Sequence, residues 1–406
     1  MNTFSPRTFS SDWEIAVLNR KNVVTDNDHL AGLQGQLRAE TGLPVQMDWN
    51  SIEVGLGVNR SLDQIWNRIV DFTDRATSLA AMYECDLMPS ASNPVERYFN
   101  AAHVHVGTMH DESAGVRLEA ALARYTPVFA ALGANSALWN FEAGPWKSWR
   151  VSKLANGCTT PISPRSPHTA QVTWGGDASP KLFGAPTLEV RITDCASSRR
   201  LLAELATFTA AFVHHLGTKD ISGDVSQTEY MEYINNRWLA SRYGMQATFQ
   251  WDGAPKLVGD IVREMLDECA EALAELKTTV SEFRVLNQMA DKRICQADFA
   301  LDIASRYDEP YCLLGAYAKR LRDWDAFDEY LDNAAALEPA AALTHDDVLR
   351  AHEAHIGEGT PFYASRVAMF YPPSEADNVL DELVEAGRIE RKVMPDGGII
   401  LSRTGQ

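Results

Sequence analysis

Three pairs of ionisable residues two positions apart, each set inside an apolar run, constrain this chain more than any other feature. Asp12 and Glu14 lie in SDWEIAVL, His103 and His105 in AAHVHVG, and Glu189 and Arg191 in TLEVRITD; Glu53, in NSIEVGLG, adds a carboxylate in a fourth run of the same kind. Side chains alternate across a β-strand, so residues i and i+2 share a face. Turning such groups into an apolar core is costly unless they are paired or bind metal. Each run therefore predicts a strand with one apolar face and one polar, ligand-lined face. Taken singly, Glu-x-Arg is more often a surface ion pair and His-x-His more often a satisfied strand. Four strands that bring carboxylates, imidazoles and a guanidinium together are a site.

The rest of the chain supplies the frame. Strands are expected at Asp12–Asn19, Asp48–Gly55, Asn100–Gly107 and Thr187–Asp194, and helices at Leu62–Tyr83, Glu112–Gly133, Ser198–Gly217 and Thr228–Arg242. That alternation is the pattern of an α+β domain with a mainly antiparallel sheet. The Pro-, Ser-, Gly- and Thr-rich stretch from Arg150 to Lys181 reads as a long loop, equally a lid or a plain surface excursion. From Leu257 to about Leu337 the periodicity is helical throughout. After LEPAAALT the pattern changes to helices at His345–His355, Ala364–Phe370 and Glu375–Gly387, then a β-hairpin around Pro395-Asp396-Gly397-Gly398. Three helices and a hairpin make a winged-helix layout. The domains expected are thus 1–338 and 339–406.

Charge excludes some partners. The 406 residues carry a formal net charge of −18 and no basic stripe, which argues against nucleic acid and against anionic membrane. Residues 339–406 hold six Lys/Arg against eleven Asp/Glu, so the winged-helix-like tail reads as a protein-contact or packing module. No apolar run reaches eighteen residues, and MNTFSPRTFSSDWE lacks the layout of a signal peptide; a cytoplasmic location is expected. The six cysteines are scattered without a metal-finger spacing and read as reduced packing residues. A homo-oligomer stays open.

Hard oxygen ligands with a histidine or two suit Mg²⁺ or Mn²⁺. The chain has neither GxxxxGK[ST] nor a dinucleotide GxGxxG. Bound phosphates would therefore be held by carboxylate-bound metals and by arginines, of which Arg150, Arg191, Arg237 and Arg242 are best placed by context.

These residues carry a family resemblance. Ala102-His103-Val104-His105-Val106-Gly107 resembles the HVHVG signature of the bacterial carboxylate–amine ligases, glutamate-cysteine ligase family 2. LGANSALWN with Ser148-Trp149-Arg150 is similar to that family's SASSPFW…SYR, TLEVRITD to TLEFRICD, and Asn236-Arg237-Trp238 through Arg242-Tyr243-Gly244 to NRWRAARYG. The motifs keep the family's order over roughly residues 10 to 250. The resemblance implies a glutamine-synthetase-like fold, with an antiparallel sheet curved into a funnel. It implies Glu53 and Glu189 as metal ligands, joined by Asp12 or Glu14, with His103 or His105 at the metal and phosphate end. Arg191 and Arg150 would neutralise the transferred phosphoryl group and the acyl phosphate; Arg237 and Arg242 would bind ATP or a substrate carboxylate. The implied activity is ATP- and Mg²⁺-dependent joining of a small-molecule acid, in the family glutamate through its γ-carboxyl, to an amine.

The chain departs from the family in two places. The family's GVEEEF or GVEWEF is here Ser10-Ser11-Asp12-Trp13-Glu14-Ile15, and its DTGYASYR is replaced by Glu142 to Arg150. The second change puts cysteine as the acceptor in doubt. The alternatives are a guanidino-kinase-like phosphotransferase, which the same curved sheet also serves, and a non-catalytic sensor or scaffold acting through the tail.

Overall fold

Twelve residues of one strand, β1 (Thr8–Asn19), organise the sheet. One of its edges pairs with β3 (Ser51–Gly55), which pairs in turn with β2 (Val45–Asp48); the other pairs with β5 (Ala102–Gly107) along Thr8–Trp13 and with β4 (Cys85–Met88) along Ala16–Asn19. Beyond β5 lie β9 (Thr187–Val190) and the edge strand β8 (Ala178–Lys181), while β6 (Leu138–Trp139) and β7 (Glu142–Ala143) pair with each other apart from this sheet. The order β2-β3-β1-β5-β9-β8 is antiparallel throughout and does not close into a barrel. The structure is a computed structural model that describes residues 8–19, 27–48, 51–92, 99–107, 112–139, 142–153, 177–181, 186–219, 227–340, 362–363, 373–387, 389–393 and 399–403.

Register fixes the two faces. Trp13 lies opposite Val54, Ile15 opposite Ile52, Val106 opposite Phe9 and Leu188, and Val104 opposite Val190; all nine side chains are buried. Each contributes about 1.5–3 kcal/mol by leaving water. A slip of one residue would exchange this set for the acids between them, so the register has no near competitor.

Helices cover the apolar face. In chain order they are α1 (Asn27–Thr41), α2 (Leu62–Met82), α3 (Glu112–Ala123), α4 (Thr126–Gly133), α5 (Trp149–Lys153), α6 (Arg199–Thr218) and α7 (Gln227–Tyr243). The Ser61 hydroxyl caps α2 by accepting the Gln64 N–H, and the helix buries Ile65, Ile69, Phe72 and Ala76 at helical spacing. Ser198 caps α6 in the same way through the Leu201 N–H. That helix is buried almost all round because it packs against α2 on one side and β1 and β5 on the other. After the hairpin β10–β11 (Thr248–Trp251, Ala254–Leu257) the chain is helical: α8 (Val258–Glu268), α9 (Ala270–Glu275), α10 (Arg284–Lys292), α11 (Gln296–Ala304), α12 (Pro310–Leu321) and α13 (Ala326–Asn333). No helix among the described residues is long and apolar enough to cross a membrane.

Several elements differ from the sequence expectation. The helix expected over Glu112–Gly133 is two, since Pro127 has no N–H to continue α3 and instead opens α4. The strand expected over Asp48–Gly55 is the hairpin β2–β3, and Thr187–Asp194 is regular only to Val190. The Arg150 guanidinium takes the carbonyls of Arg191, Ile192 and Thr193 beyond that point. The ends of the expected Arg150–Lys181 loop are ordered as α5 and β8, and residues 154–176 lie outside the described residues. The hairpin β10–β11 was not expected; its turn is Asp252-Gly253, both with positive φ, as a tight two-residue turn requires. In the tail, helix α14 (Pro373–Glu385) and strands β13 (Ile389–Val393) and β14 (Ile399–Arg403) match the expected third helix and hairpin, with β12 (Phe362–Tyr363) added on β14. The expected helices His345–His355 and Ala364–Phe370 lie outside the described residues.

Candidate active site

Trp13 explains why two acids can flank it. Its ring is buried on the helical side, edge-on to Phe72 and Trp324, and its Nε1 donates to the Ala196 carbonyl at 3.1 Å. Asp12 and Glu14 therefore project from the opposite face. Across the strands Glu14 lies opposite Glu53, Asp12 opposite His103, and His105 opposite Glu189. The four motif strands thus do share one polar face.

Two groups form on it. In the first, Glu14, Asp48 and Glu53 each offer a carboxylate oxygen, and these oxygens lie within 4.8 Å of one another. Burial pushes the Glu14 carboxyl up to about 8, against which the charge of Arg150 works; Glu14 Oε2 also accepts the Ala101 N–H at 2.6 Å. Burial raises Asp48 and Glu53 as well, and Asp12 adds repulsion on Glu53, whose Oε1 accepts from Gln46 Nε2 at 2.7 Å. Three crowded carboxylates held above their ordinary range are what a hard divalent cation relieves, so the donor set fits Mg²⁺.

In the second group, His105 Nε2 is 2.9 Å from Asp12 Oδ2 and 3.5 Å from Glu189 Oε1, and its Nδ1 is 3.1 Å from Thr187 Oγ1. Burial works to lower the His105 pKa, but Asp12 and Glu189 outweigh it and raise it. His103 Nδ1 is 3.3 Å from Glu189 Oε1, and burial pushes that imidazole down to about 4. Glu189 also meets Arg191 Nη1 at 2.6 Å and Lys181 Nζ at 2.7 Å. Burial acts to raise the Glu189 carboxyl; His103, Arg191 and His105 overcome it and hold it well below the usual carboxylate range.

The other arginines serve differently. Arg150 is buried; its donors go to the Arg191, Ile192 and Thr193 carbonyls, with Asp194 Oδ1 at 3.6 Å. Arg237 gives Nε and Nη2 to Asp177 and Nη1 to the Val151 carbonyl, tying α7 to the head of β8 and to α5. Arg242 lies 5.7 Å from the ring centres of both Trp146 and Tyr243. Among the described residues neither Arg237 nor Arg242 makes an ion pair with the sheet-face acids.

Sequence reasoning omits two members of the face. Asp48 has the wrong parity for Glu53 in one continuous strand, but the β2–β3 hairpin resets it, placing Gln46 opposite Glu53 and Asp48 opposite Ser51. Lys181 was assigned to a loop; in β8 it follows Ser179, the residue opposite Glu189, and shares its face.

The chain is similar to several known proteins. The family model for glutamate-cysteine ligase family 2 matches residues 177–309, which include Glu189, Arg191, Arg237 and Arg242. A protein of Clavibacter sepedonicus named as a glutamate–cysteine ligase 2 is 25% identical over 334 residues, covering 67% of this chain and 85% of that protein. One of the same name from Bradyrhizobium sp. is 26% identical over 209 residues, 45% of this chain and 50% of that one. In structure, a bifunctional glutathione synthetase from Pasteurella multocida superposes with a TM-score of 0.52 at 12% identity, over 80% of this chain and 54% of its own, so the chain spans about half of that molecule and shares its fold. The chain is thus similar in sequence to proteins named glutamate–cysteine ligase 2 and in fold to a bifunctional glutathione synthetase. The match over residues 177–309 falls on two of the motifs, TLEVRITD and the segment Asn236 to Gly244.

Proposed function

We propose that this chain activates a small-molecule carboxylate with ATP and joins it to an amine, forming an amide through an acyl phosphate. The observation that carries the reading is the single sheet face on which Glu14, Asp48 and Glu53 lie beside His103, His105, Glu189 and Arg191. A carboxylate is a poor electrophile at neutral pH, so an amide needs the oxygen converted to a leaving group first. Phosphoryl transfer from ATP does this, and what the protein must supply is positioning and charge.

Glu14, Asp48 and Glu53 are the residues that would hold Mg²⁺, with Glu189 at the border of that group; Mg²⁺ there would neutralise phosphate charge. Arg191, fixed by Glu189, faces the oxygens of the transferring group. Arg150 acts from beneath, holding the carbonyls that follow β9 and so the placement of Arg191. Asp12 holds His105 in a position from which its imidazole can take the proton of the attacking amine. The acid is proposed to be glutamate, attacked at its γ-carboxyl, by likeness to the family; the replaced segment Glu142–Arg150 makes the amine this chain's own. Residues 339–406 are proposed as a separate module.

The test is ADP and phosphate release from Mg-ATP with glutamate across a panel of amines including cysteine, alkylamines and other amino acids, with products identified by mass. A new amide with stoichiometric ADP and phosphate is expected. Phosphate transferred to the amine, or nucleotide bound without turnover on any pair, contradicts the reading.

A further inference from the structure

Charge divides the polar face in two. On β1, β2 and β3, none of Glu14, Asp48 and Glu53 forms an ion pair with a lysine or arginine among the described residues; only His103 Nε2 approaches Glu14, at 3.8 Å. On β9 and β8 the reverse holds. Glu189 meets Arg191 on Oε1 and Lys181 on Oε2, and both histidines also face it.

Lys181 is the member of this group whose place the fold does not account for. Its side chain is 42% exposed against 3% for Glu189, so it stands at the solvent edge with its ammonium turned inward over a buried acid. Glu189 is already neutralised by Arg191, and an ion pair with so exposed a lysine adds little stability. Oε2 of Glu189 accepts no hydrogen bond of good geometry among the described residues, so the ammonium is poised beside the carboxylate rather than locked to it. An ammonium has three donors and turns freely; it can keep Glu189 and still reach the oxygens of an anion arriving from solvent. The side of the face that bears cations is the side such an anion would choose.

We propose that Lys181 contacts the γ-phosphoryl group of ATP, together with Arg191, so that the β8–β9 edge is the phosphate end of the site and Glu14, Asp48 and Glu53 the metal end. The inference rests on the ligase reading above and adds a catalytic residue to it. A lysine that only pairs with Glu189 would treat ATP and ADP alike; one that touches the γ-phosphoryl group distinguishes them.

The experiment is calorimetric binding of a non-hydrolysable ATP analogue and of ADP, each with Mg²⁺, to the full chain and to Lys181→Ala, Lys181→Gln and Lys181→Arg. The proposal expects Lys181→Ala and Lys181→Gln to lose roughly tenfold or more in affinity for the analogue and to hold ADP within about twofold, with Lys181→Arg recovering most of the loss. The Gln variant keeps the aliphatic stem should the Ala variant not fold. Equal losses for both nucleotides, or none, overturn the role of Lys181 while binding by the unaltered chain leaves the ligase reading standing. An unaltered chain that binds neither nucleotide overturns that reading and this proposal with it.

Discussion

Nδ1 of His103 lies 3.3 Å from Oε1 of Glu189. Nε2 of the same ring is 3.8 Å from Oε1 of Glu14, so one imidazole spans the cationic and anionic halves of the face. Burial pushes its pKa down to about 4, and near pH 7 it carries a single N–H. The shorter contact assigns that hydrogen to Nδ1, donated to Glu189, which leaves the Nε2 lone pair facing the Glu14 group. Replacing His103 with Gln is expected to weaken the Mg²⁺ dependence or rate of ATP turnover roughly 10- to 100-fold, as loss of such supporting contacts does elsewhere. A Mg²⁺ titration of turnover measures this; an unchanged curve removes His103 from the site.

Asp48 provides a test with two signs. It sits among Glu14 and Glu53 and adds repulsion to Glu14, so Asp48→Asn is expected to leave the metal-free melting temperature unchanged or raised. The same change is expected to shrink the added stability that Mg²⁺ gives, since a cation stabilises the fold only by binding it. Melting curves with and without Mg²⁺ read both. Equal stabilisation of the variant and the unaltered chain contradicts the assignment of Asp48.

Under the proposed function Arg150 acts from beneath the face. Arg150→Met leaves Asp194 buried without its cation and takes a donor from the Arg191, Ile192 and Thr193 carbonyls, of which Thr193 keeps the Ala102 N–H, and is expected to cost about 3–5 kcal/mol of stability. Urea unfolding measures it. A variant of normal stability that has lost only turnover would return Arg150 to the phosphoryl role.

Asp328 predicts how stability depends on pH away from the site. Burial pushes its carboxyl up to about 6, although Ser198 Oγ donates to it at 2.6 Å and Arg284 Nη2 lies at 3.2 Å. A carboxyl raised in the folded state favours its protonated form there. Its contribution is therefore full below the unfolded value of 3.8 and is lost as pH rises through about 6. The unaltered chain is expected to lose up to about 3 kcal/mol relative to Asp328→Asn between acid and neutral pH. Chemical denaturation of both proteins across that range checks the sign; a constant difference contradicts it.

The polar face was legible in the sequence because strand periodicity is strict: Trp13 between Asp12 and Glu14, and Val104 between His103 and His105, sort themselves by burial alone. Asp48 was not legible because a hairpin turn changes parity without leaving a mark in the spacing. Lys181 was hidden by the Pro, Ser and Gly around it, which read as loop although pairing with β9 makes it strand. Arg237 shows the limit of motif reasoning. Its residue type suits a phosphate, yet Asp177, 60 positions away, takes its Nε and Nη2 donors, and only the fold brings the two together.

The central claim is that ATP activates a carboxylate oxygen, and isotope transfer tests it most directly. Glutamate labelled with heavy oxygen in its γ-carboxyl would be incubated with Mg-ATP, the accepted amine and the full chain, and the released phosphate weighed. Attack by that oxygen on the γ-phosphorus, followed by displacement of phosphate by the amine, predicts one heavy oxygen in each phosphate and an amide formed in equal amount. Unlabelled phosphate would mean that water or the amine, and not the acid, receives the phosphoryl group, and the ligase account would be wrong.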